Sequence, residues 1–194
     1  IRIGDKTYEL LDKNFPTVDP EDPYKLTKEE QNVMDRLQLA FMQCEKLHSH
    51  MIFLLNKGHL FLTYNNNLMY HGCVPLDEKG DFLKVNLFGK KYSGKALYVE
   101  VEKYIRKAFF AVDETEREKG RDLLYYVWGG PKSPVFGKDK MATFERYFIK
   151  EKETHEEVKN PYYALRGNEE VMNRVLKEFG LPETAHIVNG HVPV

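Results

Sequence analysis

The sequence predicts an α+β fold in which short strands are scattered among longer helices. Three observations carry that expectation. Apolar residues recur at helical spacing from Val33 to Leu47, a hairpin pattern surrounds Asn65-Asn66, and a Gly-closed amphipathic stretch near the C-terminus is followed by one more β-prone run. Of the 194 residues, 42% are hydrophobic and 13% aromatic, which is enough for a packed core and too much for a disordered chain.

Residues 1–24 carry Pro16, Pro20 and Pro23 among acidic side chains and read as an irregular lead-in. Thr27-Lys28-Glu29-Glu30 is a capping box, so a helix is expected from Lys28 to Asn56, stopped at Lys57-Gly58. His59–Tyr64 and Asn67–His71 are β-prone runs about the Asn65-Asn66 turn, and Phe82–Phe88 is a third extended run. Helical periodicity returns over Ala96–Val112 and Glu114–Val127. The Gly-, Pro- and Lys-rich segment Trp128–Lys140 must be a loop, long enough to carry function. Phe144–Lys150 is open between strand and helix. Asn168–Phe179 is a short helix closed by Gly180, and Ala185–Val188 is a strand.

Twenty-nine Lys and Arg face 30 Asp and Glu, a formal net charge of −1, so the broad attraction behind non-specific nucleic-acid or membrane-surface binding is missing. Phosphate recognition must therefore be local. Two cysteines, Cys44 and Cys73, make neither a disulfide framework nor a zinc ribbon, and a reducing cytoplasm is the expected compartment. No apolar run reaches the roughly 18–20 residues of a spanning helix, and Ile1-Arg2-Ile3-Gly4-Asp5 does not resemble a signal peptide. A start without Met and a strand cut short near Val194 lead us to expect an excised piece of a longer protein.

The sharpest chemical feature is a pair of turns at strand ends, Tyr70-His71-Gly72-Cys73-Val74-Pro75 and Val188-Asn189-Gly190-His191-Val192-Pro193. A His beside Gly lets the backbone bend tightly while the imidazole projects into a cleft, and neutral imidazole is a common transition-metal ligand. The alternative is that His71 and His191 are turn residues bonded to nearby carbonyls. His48 and His50 point about 200° apart on a helix and cannot chelate one metal. His59, His155 and His186 are lone residues expected to be structural or exposed, and Cys73 reads as a core or rim thiol.

In order and composition these turns resemble the last two histidine motifs, HGG-x-x-P and GH-x-P, of calcineurin-like metallophosphoesterases. The stretches Leu54–Asp77 and Ser133–Arg146 further resemble the bacterial class III fructose-1,6-bisphosphatases, and the likeness covers nearly the whole chain. The resemblance implies a partial metallophosphoesterase β-sandwich with a large helical insertion. Residues 1–194 would be a fragment of one domain, with 53–89 and 181–194 its strand-containing core pieces and 90–180 the mostly helical insertion. It also implies metal-dependent hydrolysis of the 1-phosphate of fructose 1,6-bisphosphate, a step of gluconeogenesis in the cytoplasm, at two manganese ions, with magnesium as the alternative. His71 and His191 would be metal ligands, and Lys132, Lys138, Lys140, Arg146 and Arg166 would meet the phosphate remote from the chemistry. The oligomeric state stays open.

The family's early motifs, Asp-x-His, Gly-Asp-x-x-Asp-Arg and Gly-Asn-His, do not occur in residues 1–194. Gly167-Asn168-Glu169-Glu170 lacks the histidine and reads as a helix start capped by Asn168. No catalytic residue is assigned within the chain, and alone it is expected to be inactive. One competing motif, Gly89–Lys95, fits G-x-x-x-x-G-K, but Ala96 stands where a magnesium-binding Ser or Thr is needed. The second reading of the chain is therefore a non-catalytic regulatory module that holds a phosphometabolite or nucleotide on its Lys-rich loops.

Overall fold

The computed structural model describes residues 1–192. In chain order the elements are β1 (Arg2–Ile3), β2 (Lys6–Thr7), α1 (Lys28–Met42), α2 (Glu45–Lys57), β3 (Phe61–Tyr64), β4 (Asn67–Tyr70), β5 (Val85–Leu87), β6 (Lys90–Tyr92), α3 (Gly94–Phe109), α4 (Glu114–Gly129), α5 (Thr143–Phe148), α6 (Tyr162–Leu165), α7 (Glu169–Glu178) and β7 (His186–Asn189), with a 3₁₀ turn at Lys152–His155. The fold is α+β, as expected. No described helix is long and apolar enough to cross a membrane.

The chain forms two compact units. The first comprises Ile1–Gly58 and Thr143–Thr154. Its lead-in is irregular apart from the small β1–β2 hairpin. The capping box forms as read: the Thr27 hydroxyl accepts from the Glu30 N–H at 3.2 Å, and the Thr27 N–H donates to Glu30 Oε2 at 2.8 Å. The single helix expected over Lys28–Asn56 is instead two. Gln43 leaves helical geometry and Cys44 is extended (φ −78°, ψ 95°), restarting the chain as N-cap of α2. Phe144–Lys150, whose pattern suits strand or helix, is helical over Thr143–Phe148.

The second unit comprises His59–Ala142 and His155–Val194. Asn65 and Asn66 both take left-handed backbone (φ 51° and 58°), which Asn tolerates, and this closes the β3–β4 hairpin. The three-stranded sheet runs β3-β4-β7, with β3 and β4 antiparallel and β7 parallel to β4. Period-2 alternation sends Phe61, Leu68, Tyr70 and Ile187 to one face, where they pack with Tyr98 of α3, Val171, Val175 and Leu176 of α7, and Phe179. The other face carries the aligned row Leu62, Met69 and Val188, and Leu62 and Val188 remain half exposed.

Lys90–Tyr92 pairs antiparallel with Val85–Leu87 as a hairpin through Phe88-Gly89, so the segment beginning at residue 90 opens with a strand that the sequence pattern did not reveal. Beyond it α3 and α4 lie close to the expected spans. Asn168 caps α7 by accepting from the Val171 N–H at 3.2 Å.

Candidate functional site

The parallel register of β4 and β7 sets Tyr70 opposite Asn189, so the residues that follow, His71 on one strand and Gly190-His191 on the other, leave the sheet side by side. Backbone and side-chain bonds hold the two turns together. The Gly190 N–H donates to the His71 carbonyl at 3.0 Å, and Asn189 Nδ2 donates to the Gly72 carbonyl at 2.8 Å. His191 has positive φ (67°), a conformation a non-glycine residue adopts only when its surroundings hold it there.

In consequence His71 Nε2 lies 3.0 Å from His191 Nδ1, with ring centroids 4.8 Å apart and planes at 65°. Both rings are exposed at the sheet end. Two imidazole nitrogens bound at right angles to one metal, each at about 2.1 Å, would stand about 3.0 Å apart, so this donor pair fits adjacent positions on one ion. The same separation suits an N–H···N hydrogen bond between the rings. Among the described residues no third His, Cys, Asp or Glu joins them in a ligand cluster. Burial holds the His191 imidazole below its ordinary pKa, helped by the neighbouring His71 and Lys138 charges, while the Phe136 carbonyl, an acceptor beside the ring, opposes them. The outcome favours the neutral form, which carries the lone pair a ligand needs.

The ground beneath the turns is aromatic and buried. Tyr70 and Tyr162 share a hydroxyl–hydroxyl bond of 2.7 Å, and Tyr98 donates to the Cys73 carbonyl at 2.8 Å. Cys73 is buried, which pushes its thiol up to about 12, so it is the expected core thiol. The Tyr163 hydroxyl lies near the Cys73 sulfur and has no oxygen or nitrogen partner among the described residues.

The predicted cations divide. Lys138 lies close enough to act on His191, yet its ammonium is paired with Glu157 at 2.8 Å. Lys132 is exposed with left-handed backbone (φ 65°), and Lys140 is half exposed in the same loop. Arg166 is exposed and lines a cleft of about 290 Å³ with Lys159 and Val192, the residue after His191. Arg146 belongs to the other compact unit, on α5. Pro193, the last position of the second histidine motif, lies outside the described residues.

The G-x-x-x-x-G-K segment is no phosphate cradle. Its middle is strand β6, and Gly94, with φ +52°, opens α3 against the Glu178 side chain, whose Oε1 accepts from the Lys95 N–H at 3.0 Å. The positive end of that helix is thus already matched by the protein's own carboxylate. His59 is structural, bonded through Nδ1 to Glu102 Oε1 at 2.9 Å. Three residues around the pair were not singled out in the sequence: Ser133 and Phe136, which carried no sign, and Asn189, whose one cue was its place in an Asn-Gly turn.

The model of the family described as Firmicute fructose-1,6-bisphosphatase matches residues 1–194. A protein of Clostridioides difficile named fructose-1,6-bisphosphatase class 3 is 52% identical over 196 aligned residues, and proteins of the same name from Listeria innocua and Clostridium tetani are each 50% identical. Each alignment takes in all of this chain and about 30% of the relative. No solved structure matches.

Proposed function

This chain belongs to the Firmicute fructose-1,6-bisphosphatase family, and from that premise we propose that it supplies part of the catalytic centre of an enzyme that hydrolyses the 1-phosphate of fructose 1,6-bisphosphate, releasing fructose 6-phosphate and phosphate. The supporting observation is the convergence of His71 Nε2 and His191 Nδ1 to 3.0 Å at the end of a sheet. Both rings would hold one of two metal ions, manganese with magnesium as the alternative. Such ions polarise a phosphoryl oxygen and lower the pKa of bound water. The carboxylates and further histidine that complete a binuclear site would come from parts of the protein outside this chain, which spans about 30% of its relatives' length.

The chain's own contribution is to orient the two imidazoles and present cations beside them. Lys138, held by Glu157, and Arg166, which lines a cleft with Val192, would be the basic residues that meet a sugar phosphate. Arginine favours bidentate phosphate contact. The apolar row Leu62, Met69 and Val188, exposed at Leu62 and Val188, is the face that a second sheet of a metallophosphoesterase sandwich would cover, with residues 90–180 as the insertion between its β4 and β7 strands. A sugar bisphosphate substrate and two cysteines free of disulfides both suit the cytoplasm.

The test is phosphate release from fructose 1,6-bisphosphate by the complete protein with manganese, before and after His71→Ala and His191→Ala. We expect one phosphate per sugar and loss of turnover in both variants. A complete, folded protein with no phosphatase activity, or variants as active as wild type, would overturn the reading.

A further inference from the structure

Outside the tyrosine cluster, Ser133 and Thr154 carry buried hydroxyls, and Ser133 stands at the centre of the Gly- and Pro-rich loop that follows α4. Its hydroxyl donates to the Val127 carbonyl at 2.6 Å and accepts from the Val135 and Phe136 N–H groups at 3.2 Å each. A hydroxyl offers one proton and two lone pairs, so all three positions are used. The Gly137 N–H closes the turn by donating to the Ser133 carbonyl at 3.0 Å. The loop is thus tied to the last turn of α4 and bent about one side chain.

The bend reaches both histidine turns. The Pro134 carbonyl accepts from the Cys73 N–H at 2.9 Å, two residues after His71. Between them Gly72 meets the Pro134 and Val135 carbonyls so closely that a Cβ there would collide with backbone. On the other side the Phe136 ring packs against the His191 ring, with centroids 6.3 Å apart and planes at 64°. One short segment therefore touches the neighbourhood of each imidazole, through backbone on the His71 side and through a ring on the His191 side.

We propose that the Ser133–Gly137 segment sets the mutual geometry of His71 and His191 for metal binding, with Ser133 and Phe136 as positioning residues. This rests on the metal-ligand reading above. Two exposed imidazoles free to rotate would meet one ion only part of the time, and contacts outside the ligand shell commonly govern affinity by 10–100-fold. Removing the Ser133 hydroxyl leaves the Val135 and Phe136 N–H groups without their acceptor and frees the loop to withdraw from both turns. Replacing Phe136 by Leu keeps an apolar side chain and the backbone bonds but removes the ring beside His191.

The test is manganese binding to the complete protein, followed by the EPR signal of free and bound Mn(II), for Ser133→Ala, Phe136→Leu and a control, Thr154→Ala. The control removes a comparably buried hydroxyl in the other compact unit. We expect affinity to fall about 10–100-fold in the first two variants, with a changed spectrum for the bound ion, and to stay at the wild-type value in the control even where its Tm drops. Wild-type affinity and spectrum in both Ser133→Ala and Phe136→Leu would overturn the proposal, as would an equal loss in Thr154→Ala. Should Ser133→Ala not fold, Phe136→Leu against the control decides. If His71→Ala and His191→Ala themselves bind manganese like wild type, the metal reading fails and takes the proposal with it. If those two lose the ion while Ser133→Ala and Phe136→Leu keep it, only the positioning role fails.

Discussion

Asn189 Nδ2 donates to the Gly72 carbonyl at 2.8 Å, a side chain at the end of β7 holding the backbone of the turn that follows β4. It stands where the parallel ladder stops, between the two histidines. We predict that Asn189→Ala costs about 1 kcal/mol of stability, the usual net worth of such a bond, and weakens manganese binding. Urea denaturation and a metal titration of the same variant check both outcomes.

Gly72 is the point of closest approach between the His71 turn and the loop after α4. A methyl group there would meet two backbone carbonyls, which cannot retreat as a flexible side chain would. Gly72→Ala should destabilise by about 1–3 kcal/mol, the range of overpacked interiors. A thermal midpoint unchanged from wild type would refute the close packing.

The tyrosine cluster offers a contrast. Tyr70→Phe leaves the buried Tyr162 hydroxyl without its 2.7 Å partner and should cost about 1–2 kcal/mol. Tyr163→Phe removes a hydroxyl with no oxygen or nitrogen partner and should be neutral or slightly stabilising. Denaturant midpoints for the two variants should move in different degrees, and an equal loss would contradict the arrangement.

Thiol reactivity should separate the two cysteines. Cys44 is exposed, whereas burial pushes the Cys73 thiol up to about 12, a shift the nearby Tyr163 only partly opposes. At pH 8 a disulfide reagent should label Cys44 alone in the native protein and both after unfolding. Mass spectrometry of the labelled peptides reads this directly.

Glu102 ties α3 to the start of β3. Burial by itself would raise its carboxyl pKa, but the Leu60 N–H, Arg106 and His59 all bond the charged form and hold the value below the ordinary 4.5. A lowered carboxylate contributes stability above its unfolded pKa and loses it as the pH falls through the folded value. Acid unfolding below about pH 4.5 should therefore include this group. Glu102→Gln should lower stability at neutral pH and flatten its dependence across that acid range.

Several features carried by bonds within a few residues were legible in the chain. The Thr27–Glu30 box, the Asn168 cap and the Asn65-Asn66 hairpin turn come from local donors, acceptors and φ preferences. The strand-end, Gly-flanked turns singled out His71 and His191 as a pair, and family resemblance gave them a role as metal ligands. That these two histidines, 120 positions apart, meet was decided elsewhere, by the parallel pairing of β4 with β7, a contact whose register depends on what the core face buries. The break at Gln43–Cys44, strand β6, the filling of the α3 N-terminus by Glu178 and the keystone place of Ser133 are likewise absent from the sequence pattern. The α3 cap depends on Glu178, far along the chain, and a carboxylate carries no mark of which distant amide it will satisfy. Strand β6 and the Ser133 loop have near partners, β5 across a tight turn and Val127, Val135 and Phe136, but Lys90-Lys91-Tyr92 lacks the apolar alternation that marks a strand and a serine among Gly and Pro looks like any other loop residue.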